Sequence, residues 1–394
     1  MNELFADRIT DVPKSFIREI LKVALDPDVI SFAGGLPNRD LFPVQELTDA
    51  TNEVFNIYGN DIFQYSNSEG YLPLREYIAE SYQKNGIQVS ANNILITNGA
   101  QQGLDLLGKV LLNEGDGVVL EEPGYLGAIQ AFSLFNPNFF PVQVSEQGMD
   151  VGQLSEIFEQ NSPKLIYTVP NFQNPSGITY TNENRSEISE VIKDKKVFLI
   201  EDNPYGALRF AGEPQNSFMH YCPEKVILLG SFSKIIVPGF RIGWVVAPES
   251  LLNNLLIAKQ ASDLHTCHFT QYIIYHYLQQ NDAQAHIEKV AKQYGEQCES
   301  MLQSIDKYFP QNVKTTRPEG GMFLWATLPD NVSAMELFDL AVKEKVVFVP
   351  GSPFYINNRG ENSFRLNFSC TDKATTETGI KRLGTAIKKL QKRV

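Results

Sequence analysis

Between residues 94 and 248, short apolar runs alternate with stretches whose apolar positions recur every three to four residues. ILIT (94–97) has the length of a strand, and GAQQGLDLLGKVLL after it has helical spacing. DGVVLEE (116–122), FFPVQV (139–144), KLIYTVP (164–170), KVFLIED (196–202), KVILLGS (225–231) and RIGWVVAP (241–248) predict further strands. GYLGAIQAFSLF and a polar-faced segment at 182–194 predict helices between them. Apolar strands separated by helices belong to a largely parallel sheet covered on both faces, the pattern of an α/β domain.

From Glu249 the period changes. Segments 249–279 and 283–308 predict two long helices, the second rich in Glu, Gln and Lys. A smaller α+β unit follows. VKTTRP, GMFLWATLP, VVFVPG and SFRLNFSC predict strands, SAMELFDLAVKEK predicts a helix, and 374–391 predicts a last one. Ser333 and Glu336 have the spacing of a capping box at the start of the SAMELFDLAVKEK helix. There is no repeat, low-complexity tract or Pro/Gly/Ser linker, so the change near 280 predicts a boundary across a long helix.

Composition adds bounds. The chain has 394 residues, beyond the roughly 250–300 at which single cores stop growing, so two domains are expected. Its 34 Lys+Arg against 46 Asp+Glu leave a net charge of −12, which argues against a nucleic-acid partner. Charged residues make up only 20% and aromatic residues 11%, which excludes a disordered chain. No apolar run is long enough to span a membrane, and Glu3, Asp7 and Arg8 break any secretory signal. Cys222, Cys267, Cys298 and Cys370 form no CxxC pair, the usage of a reduced, cytoplasmic compartment. His265 and His268 flank Cys267, but no further ligand is spaced to join them, so no metal site is expected.

Four motifs fall where predicted strands end, the usual place for ligands in an open α/β sheet. In SFSKIIVPGFRIG (231–243), Lys234 is an amine that could form a Schiff base, and Ser231, Ser233 and Arg241 surround it with groups suited to a phosphate. In LIEDNPY (199–205), an apolar strand delivers Asp202, a carboxylate that can stabilise a protonated heterocyclic nitrogen, and Tyr205 can donate to a phenolate-type oxygen. TNGAQQGLDLL (97–107) offers free N–H groups at a helix start, a generic anion site, yet is neither a dinucleotide fingerprint nor a P-loop. TVPNFQNPSG (168–177) sets Asn174 in a tight loop. Singly, each also reads as ordinary structure: a surface lysine, a core-edge ion pair, or a turn.

In this order and combination the motifs resemble the fold-type I, pyridoxal-phosphate-dependent aminotransferases of class I/II, nearest the 2-aminoadipate and kynurenine aminotransferase group. The resemblance runs from about Ser15 to the last helix. It implies a large domain over 48–282 with a mainly parallel seven-stranded sheet. Residues 1–47 and 283–394 would supply an N-terminal arm and a small α+β domain.

The resemblance also implies roles. Lys234 would carry the cofactor as an imine and then act as base, with Asp202 on the pyridine nitrogen and Asn174 and Tyr205 on the ring oxygen. Gly99, Ala100, Gln101, Ser231, Ser233 and Arg241 would cradle the phosphate, and Tyr125 would stack on the ring. Tyr65, in FQYSNSEGYLPLRE, would reach the phosphate of the neighbouring subunit, making the enzyme a homodimer with shared sites. Arg365, with Asn174, would clamp the substrate α-carboxylate, and Gly35 and Leu36 of FAGGLPN would lie against the substrate. Arg18, in a mobile helix that can cover the site, is either a helix-face residue or a partner for a distal carboxylate.

The implied activity is ping-pong transfer of an amino group from an L-amino acid to a 2-oxo acid. Glutamate and 2-oxoglutarate are expected as one pair, with 2-aminoadipate, an aromatic or a branched-chain amino acid in the other. A β-lyase, decarboxylase or racemase would keep Lys234 and Asp202. A non-catalytic, cofactor-binding regulator would carry a winged helix in front of the residues that match, and a protein without cofactor would need none of the motifs.

Overall fold

The computed structural model describes residues 4–10, 20, 26–357 and 359–393. After β1 (Ile30–Ser31), eight strands form one sheet: β2 (Ile94–Asn98), β3 (Gly117–Glu122), β4 (Asn138–Ser145), β5 (Gly148–Met149), β6 (Leu165–Thr168), β7 (Phe198–Asp202), β8 (Val226–Ser231) and β9 (Ile242–Val246). Their order is β2-β9-β8-β7-β6-β3-β4-β5. From β8 to β4 all neighbours are parallel. β9 runs antiparallel to both β2 and β8, and β5 antiparallel to β4. The sheet thus has one strand more than the seven expected. β5 is a two-residue return after a tight turn, too short to leave an apolar run in the sequence.

Alternation along the strands buries both faces. Leu95, Val118, Leu120, Tyr167, Ile200 and Leu229 point into one core, shared with Leu104 and Leu107 of the helix Ala100–Leu111. Ile94, Ile96, Val119, Ile166, Leu199 and Leu228 point into the other, shared with Ile273 and Ile274 of the helix His268–Gln280. A sheet covered on both faces therefore presents ligands at its strand ends.

The C-terminal unit adds β10 (Lys314–Thr315), β11 (Phe323–Thr327), β12 (Val346–Val347), β13 (Val349–Pro350) and β14 (Ser363–Asn367). An antiparallel sheet of order β10-β11-β14-β13 results. The VVFVPG run is divided: β13 joins this sheet, while β12 pairs in parallel with β1, Ile30 opposite Val346 and Ser31 opposite Val347. Helices Ala283–Tyr308 and Lys373–Gln391 share the first core through Met301, Ile305, Ile380 and Leu383. Ser333 caps the helix Ala334–Lys343, its side chain accepting from the Glu336 N–H at 3.4 Å.

The helix expected over 249–279 is two, Glu249–Ser262 and His268–Gln280. Leu264 between them has φ of 65°, which no helix continues through. Apolar spacing does not register the break because its cause is polar. The Asp263 carboxylate turns away to accept from Asn98, Gln102 and Lys259.

Candidate active site

The C-terminal ends of the parallel strands meet the C-terminal unit around a cavity of about 280 Å³. β7 delivers Asp202 to it, and β8 delivers Ser231. The turn after β2 brings Ala100 and Gln101, the loop after β6 brings Asn174, and β14 brings Arg365. Gly35, Tyr125, Tyr205, Ser233, Lys234 and Arg241 complete the expected residues that line it. Gly99 stands directly before the helix that carries Ala100 and Gln101. Leu36 is 62% exposed, and its carbonyl accepts from the Ser369 hydroxyl at 2.9 Å. Tyr65 is 78% exposed, edge-to-face with His265. Arg18 lies outside the described residues.

Asp202 is buried. One carboxylate oxygen, Oδ2, accepts from the Tyr167 hydroxyl at 2.7 Å, and the other, Oδ1, is buried without a partner. Burial pushes its pKa up to about 7, against the lowering effect of Tyr167. A protonated nitrogen within reach of Oδ1 would both satisfy that atom and restore the anion.

Arg365 is buried as well. Nη1 donates to Oδ1 of Asn174 at 2.7 Å and Nη2 to the Ala33 carbonyl at 2.8 Å. The guanidinium lies 4.3 Å from the Phe323 ring centre and 5.2 Å from that of Phe354. Burial draws its pKa down to about 10. Its Nε remains without a partner. A buried guanidinium with an unmatched charge and a free donor calls for an anion.

Lys234 donates from Nζ to the Gly35 carbonyl at 2.8 Å. Burial first, and then the positive charges of Arg365 and Arg241, bring its pKa down to about 8. An amine with that pKa is an effective nucleophile and base near neutrality.

The helix Ala100–Leu111 begins at Gly99, whose φ is 74°. A Cβ on Gly99 would overlap the Arg241 guanidinium, and one on Gly243 would press on the N–H of Ala100. Close approach therefore needs both glycines. Arg241 is held by the Ser233 hydroxyl at 3.4 Å and the Asn98 carbonyl at 3.3 Å, and the Ser231 hydroxyl accepts from the Ser233 N–H at 3.0 Å. Helix N–H groups beside a guanidinium and hydroxyls form a cradle for a phosphate.

Several residues that shape the site escape motif reading. Tyr167 lies within an apolar strand and reads as core, yet it partners Asp202. Glu121, almost fully buried, accepts from Thr168, Gln173, Tyr180 and the Val169 N–H, which ties β3 to the loop carrying Asn174. Leu104, Val169, Pro204 and Phe323 supply apolar wall. Only the carboxylate at the end of an apolar strand hinted at Glu121; the wall residues carry no signal apart from core.

Pyridoxal phosphate answers these demands together. Its phosphate suits the Gly99 turn with Arg241, its ring nitrogen suits the unpartnered Oδ1 of Asp202, and its aldehyde suits the Lys234 amine. Fold and site thus define a pyridoxal-phosphate enzyme of fold type I. The model of the aminotransferase class I and II family matches residues 27–383, and the chain belongs to that family. It is 40% identical over 393 residues to 2-aminoadipate transaminase of Thermus thermophilus, covering 99% of this chain and 98% of that one. It is 39% identical over 396 residues to aromatic-amino-acid aminotransferase 1 of Thermococcus litoralis, covering 99% and 95%. Among solved structures, the alpha-aminoadipate aminotransferase of Thermus thermophilus, complexed with N-(5'-phosphopyridoxyl)-L-leucine, superposes with a TM-score of 0.93 at 39% identity, over 100% of this chain and 99% of that one.

Proposed function

We propose that this aminotransferase works by a ping-pong exchange in which glutamate and 2-oxoglutarate form one pair. A 2-aminoadipate, aromatic or branched-chain amino acid and its 2-oxo acid form the other. The observation that carries the reading is the buried Arg365, held by Asn174 and Ala33 with its Nε unpartnered, lining the cavity that also holds Lys234. An α-carboxylate paired there would place the neighbouring Cα within the same small space as the Lys234 amine. Relatives named for 2-aminoadipate and for aromatic amino acids, and a neighbour holding a leucine adduct, support this range of side chains.

When bound, pyridoxal phosphate supplies a ring that takes up electrons and makes the substrate Cα–H bond acidic. The chain's residues do the rest. Gly99, Ala100, Gln101, Ser231, Ser233 and Arg241 hold the phosphate, Asp202 keeps a proton on the ring nitrogen, and Asn174 and Tyr205 serve the ring oxygen. Tyr125 covers the ring face. Lys234 Nζ accepts the Cα proton, for which a pKa of about 8 suits it. Gly35 and Leu36 border the substrate, and Arg18, outside the described residues, is the candidate partner for a distal carboxylate if it faces the cleft.

The enzyme acts as a homodimer in which Tyr65 of the partner subunit completes the phosphate site. Phe55, Phe63 and Phe269 pack on one another with ring centres 5.2–6.4 Å apart, and Phe63 is 71% exposed. Such a patch beside Tyr65 suits a second copy. The large domain spans 48–282, and 1–47 with 283–394 form the smaller part, a division supported by the β1–β12 pairing. Four free cysteines fit work in the cytoplasm. Among the described residues no helix is long and apolar enough to cross a membrane.

A spectrophotometric half-reaction screen tests the reading. Holoenzyme mixed with glutamate, 2-aminoadipate, aromatic or branched-chain amino acids is expected to pass to the pyridoxamine form and return with 2-oxoglutarate. Release of ammonia or CO₂ without an acceptor overturns it. Arg18→Ala is expected to lower the preference for dicarboxylic donors over leucine, and Phe63→Asp to give an inactive monomer by light scattering.

A further inference from the structure

The break between helices Glu249–Ser262 and His268–Gln280 holds an ion pair that the reaction does not use. The Lys259 side chain is fully buried, and its Nζ donates to both oxygens of Asp263 at 2.9 Å. The same ammonium donates to the Thr266 hydroxyl at 3.0 Å and to Oε1 of Gln102 at 3.2 Å. Asp263 Oδ2 in turn accepts from the side-chain amides of Asn98 and Gln102.

Asn98 and Gln102 flank Gly99, Ala100 and Gln101, the turn that meets the cofactor phosphate in the function proposed above, on which this inference rests. They are also joined to one another, since Oε1 of Gln102 accepts from the Asn98 N–H at 2.8 Å. The Asn98 carbonyl accepts from Arg241. One carboxylate therefore holds both ends of a turn that runs through Gly99 at φ of 74°, with its guanidinium one bond away. A bare carboxylate there would repel a phosphate dianion; Lys259, donating to both oxygens of Asp263, cancels that charge.

We infer that Asp263 and Lys259 are positioning residues for the phosphate cradle. Asp263 clamps the turn through Asn98 and Gln102, and Lys259 neutralises Asp263 so that the clamp does not oppose the anion. The pair touches neither substrate nor reacting atoms. Its loss is therefore expected to weaken cofactor binding while leaving turnover of the saturated enzyme nearly intact.

The test is titration of apoprotein with pyridoxal phosphate, beside half-reaction rates at saturating cofactor. Asp263→Asn is expected to weaken pyridoxal phosphate about tenfold or more, the worth of charge-assisted hydrogen bonds, with saturated rates within about twofold. Lys259→Met is expected to weaken it too, and adding Asp263→Asn to Lys259→Met to restore part of the affinity, because the uncompensated charge is gone. Gln102→Ala keeps the ion pair and removes one tether, so it reports on the clamp if the other variants fail to fold; a weakened affinity is expected. Unchanged affinity in Gln102→Ala overturns the inference. So does an Asp263→Asn protein that melts earlier but binds cofactor as tightly as before, or a double variant that binds no better than Lys259→Met.

Discussion

Arg365 Nη1 and Asn174 Oδ1 stand 2.7 Å apart, joining β14 to the loop after β6. That bond, with the Ala33 carbonyl and the faces of Phe323 and Phe354, fixes the guanidinium plane. Lysine has neither the fork nor the plane. Arg365→Lys is expected to raise KM for amino acids and 2-oxo acids alike by about 10- to 100-fold, with a smaller change in kcat. Steady-state kinetics with both substrates varied checks this; a KM change confined to one substrate counts against a shared carboxylate site.

Asp202 titrates near 7 in the folded chain, against 3.8 for an ordinary aspartate. Between those values the folded state holds a proton that the unfolded state has lost. This group therefore costs stability increasingly as pH rises through that window, and the cost is complete above it. Asp202→Asn removes it. The thermal midpoint of the Asp202→Asn apoprotein is expected to gain on that of the unmodified apoprotein between pH of about 4 and 7, and to hold that gain above. Tyr167→Phe is expected to widen the window upward, because the hydroxyl that favours the anion is gone. Calorimetry of the three apoproteins across pH decides it, and parallel curves would contradict the burial of Oδ1.

Lys234, at about 8, has the opposite sign. Below that pH the folded state holds its full buried charge, a cost to stability relieved as pH rises toward the ordinary lysine value of about 10.4. In apoprotein treated with an amine-acylating reagent, Lys234 is expected to react with a midpoint near 8, well before surface lysines. Arg365→Leu is expected to raise that midpoint, since one of the two repelling guanidiniums is removed. Peptide mass spectrometry across pH reads both.

Gly99→Ala places a Cβ on the Arg241 guanidinium at a φ that favours glycine. A loss of about 1 kcal/mol in apoprotein stability is expected from the backbone alone. The displaced guanidinium is expected to weaken pyridoxal phosphate about tenfold. Denaturation and cofactor titration measure the two separately, and retained affinity would show that Arg241 is free to move.

The parallel strands were legible because each is buried on both faces and so carries an unbroken apolar run; Ile227 and Leu229 on one face and Leu228 on the other leave no polar gap. The cavity's charged and hydroxyl residues were legible because strand ends and glycine turns mark them. Helices Val44–Tyr58 and Leu72–Lys84 were not marked, since much of each surface is polar and only Leu47, Ala50, Val54, Leu74, Ile78 and Ala79 turn inward. The break at Asp263 was hidden for another reason: its partners Asn98 and Gln102 are more than 150 residues away in the chain, so no local pattern registers them. Tyr167 was hidden by its neighbours, being one more large side chain in an apolar strand.

The pairing of Ile30–Ser31 with Val346–Val347 sets a schedule for biosynthesis. Ala33 and Gly35, just past β1, accept from Arg365 and Lys234, and β1 has no strand to lie on until residue 347 has left the ribosome. All strands of the large sheet, from Ile94 to Val246, precede Val346 in the chain and so leave the ribosome before β1 has its partner. The amine at Lys234 therefore acquires its carbonyl partner, and a guanidinium neighbour in Arg365, only when the chain is nearly finished. A nascent chain stalled earlier would carry the Gly99 turn and Asp202, yet lack the Gly35 carbonyl contact and the Arg365 charge that lowers the lysine's pKa.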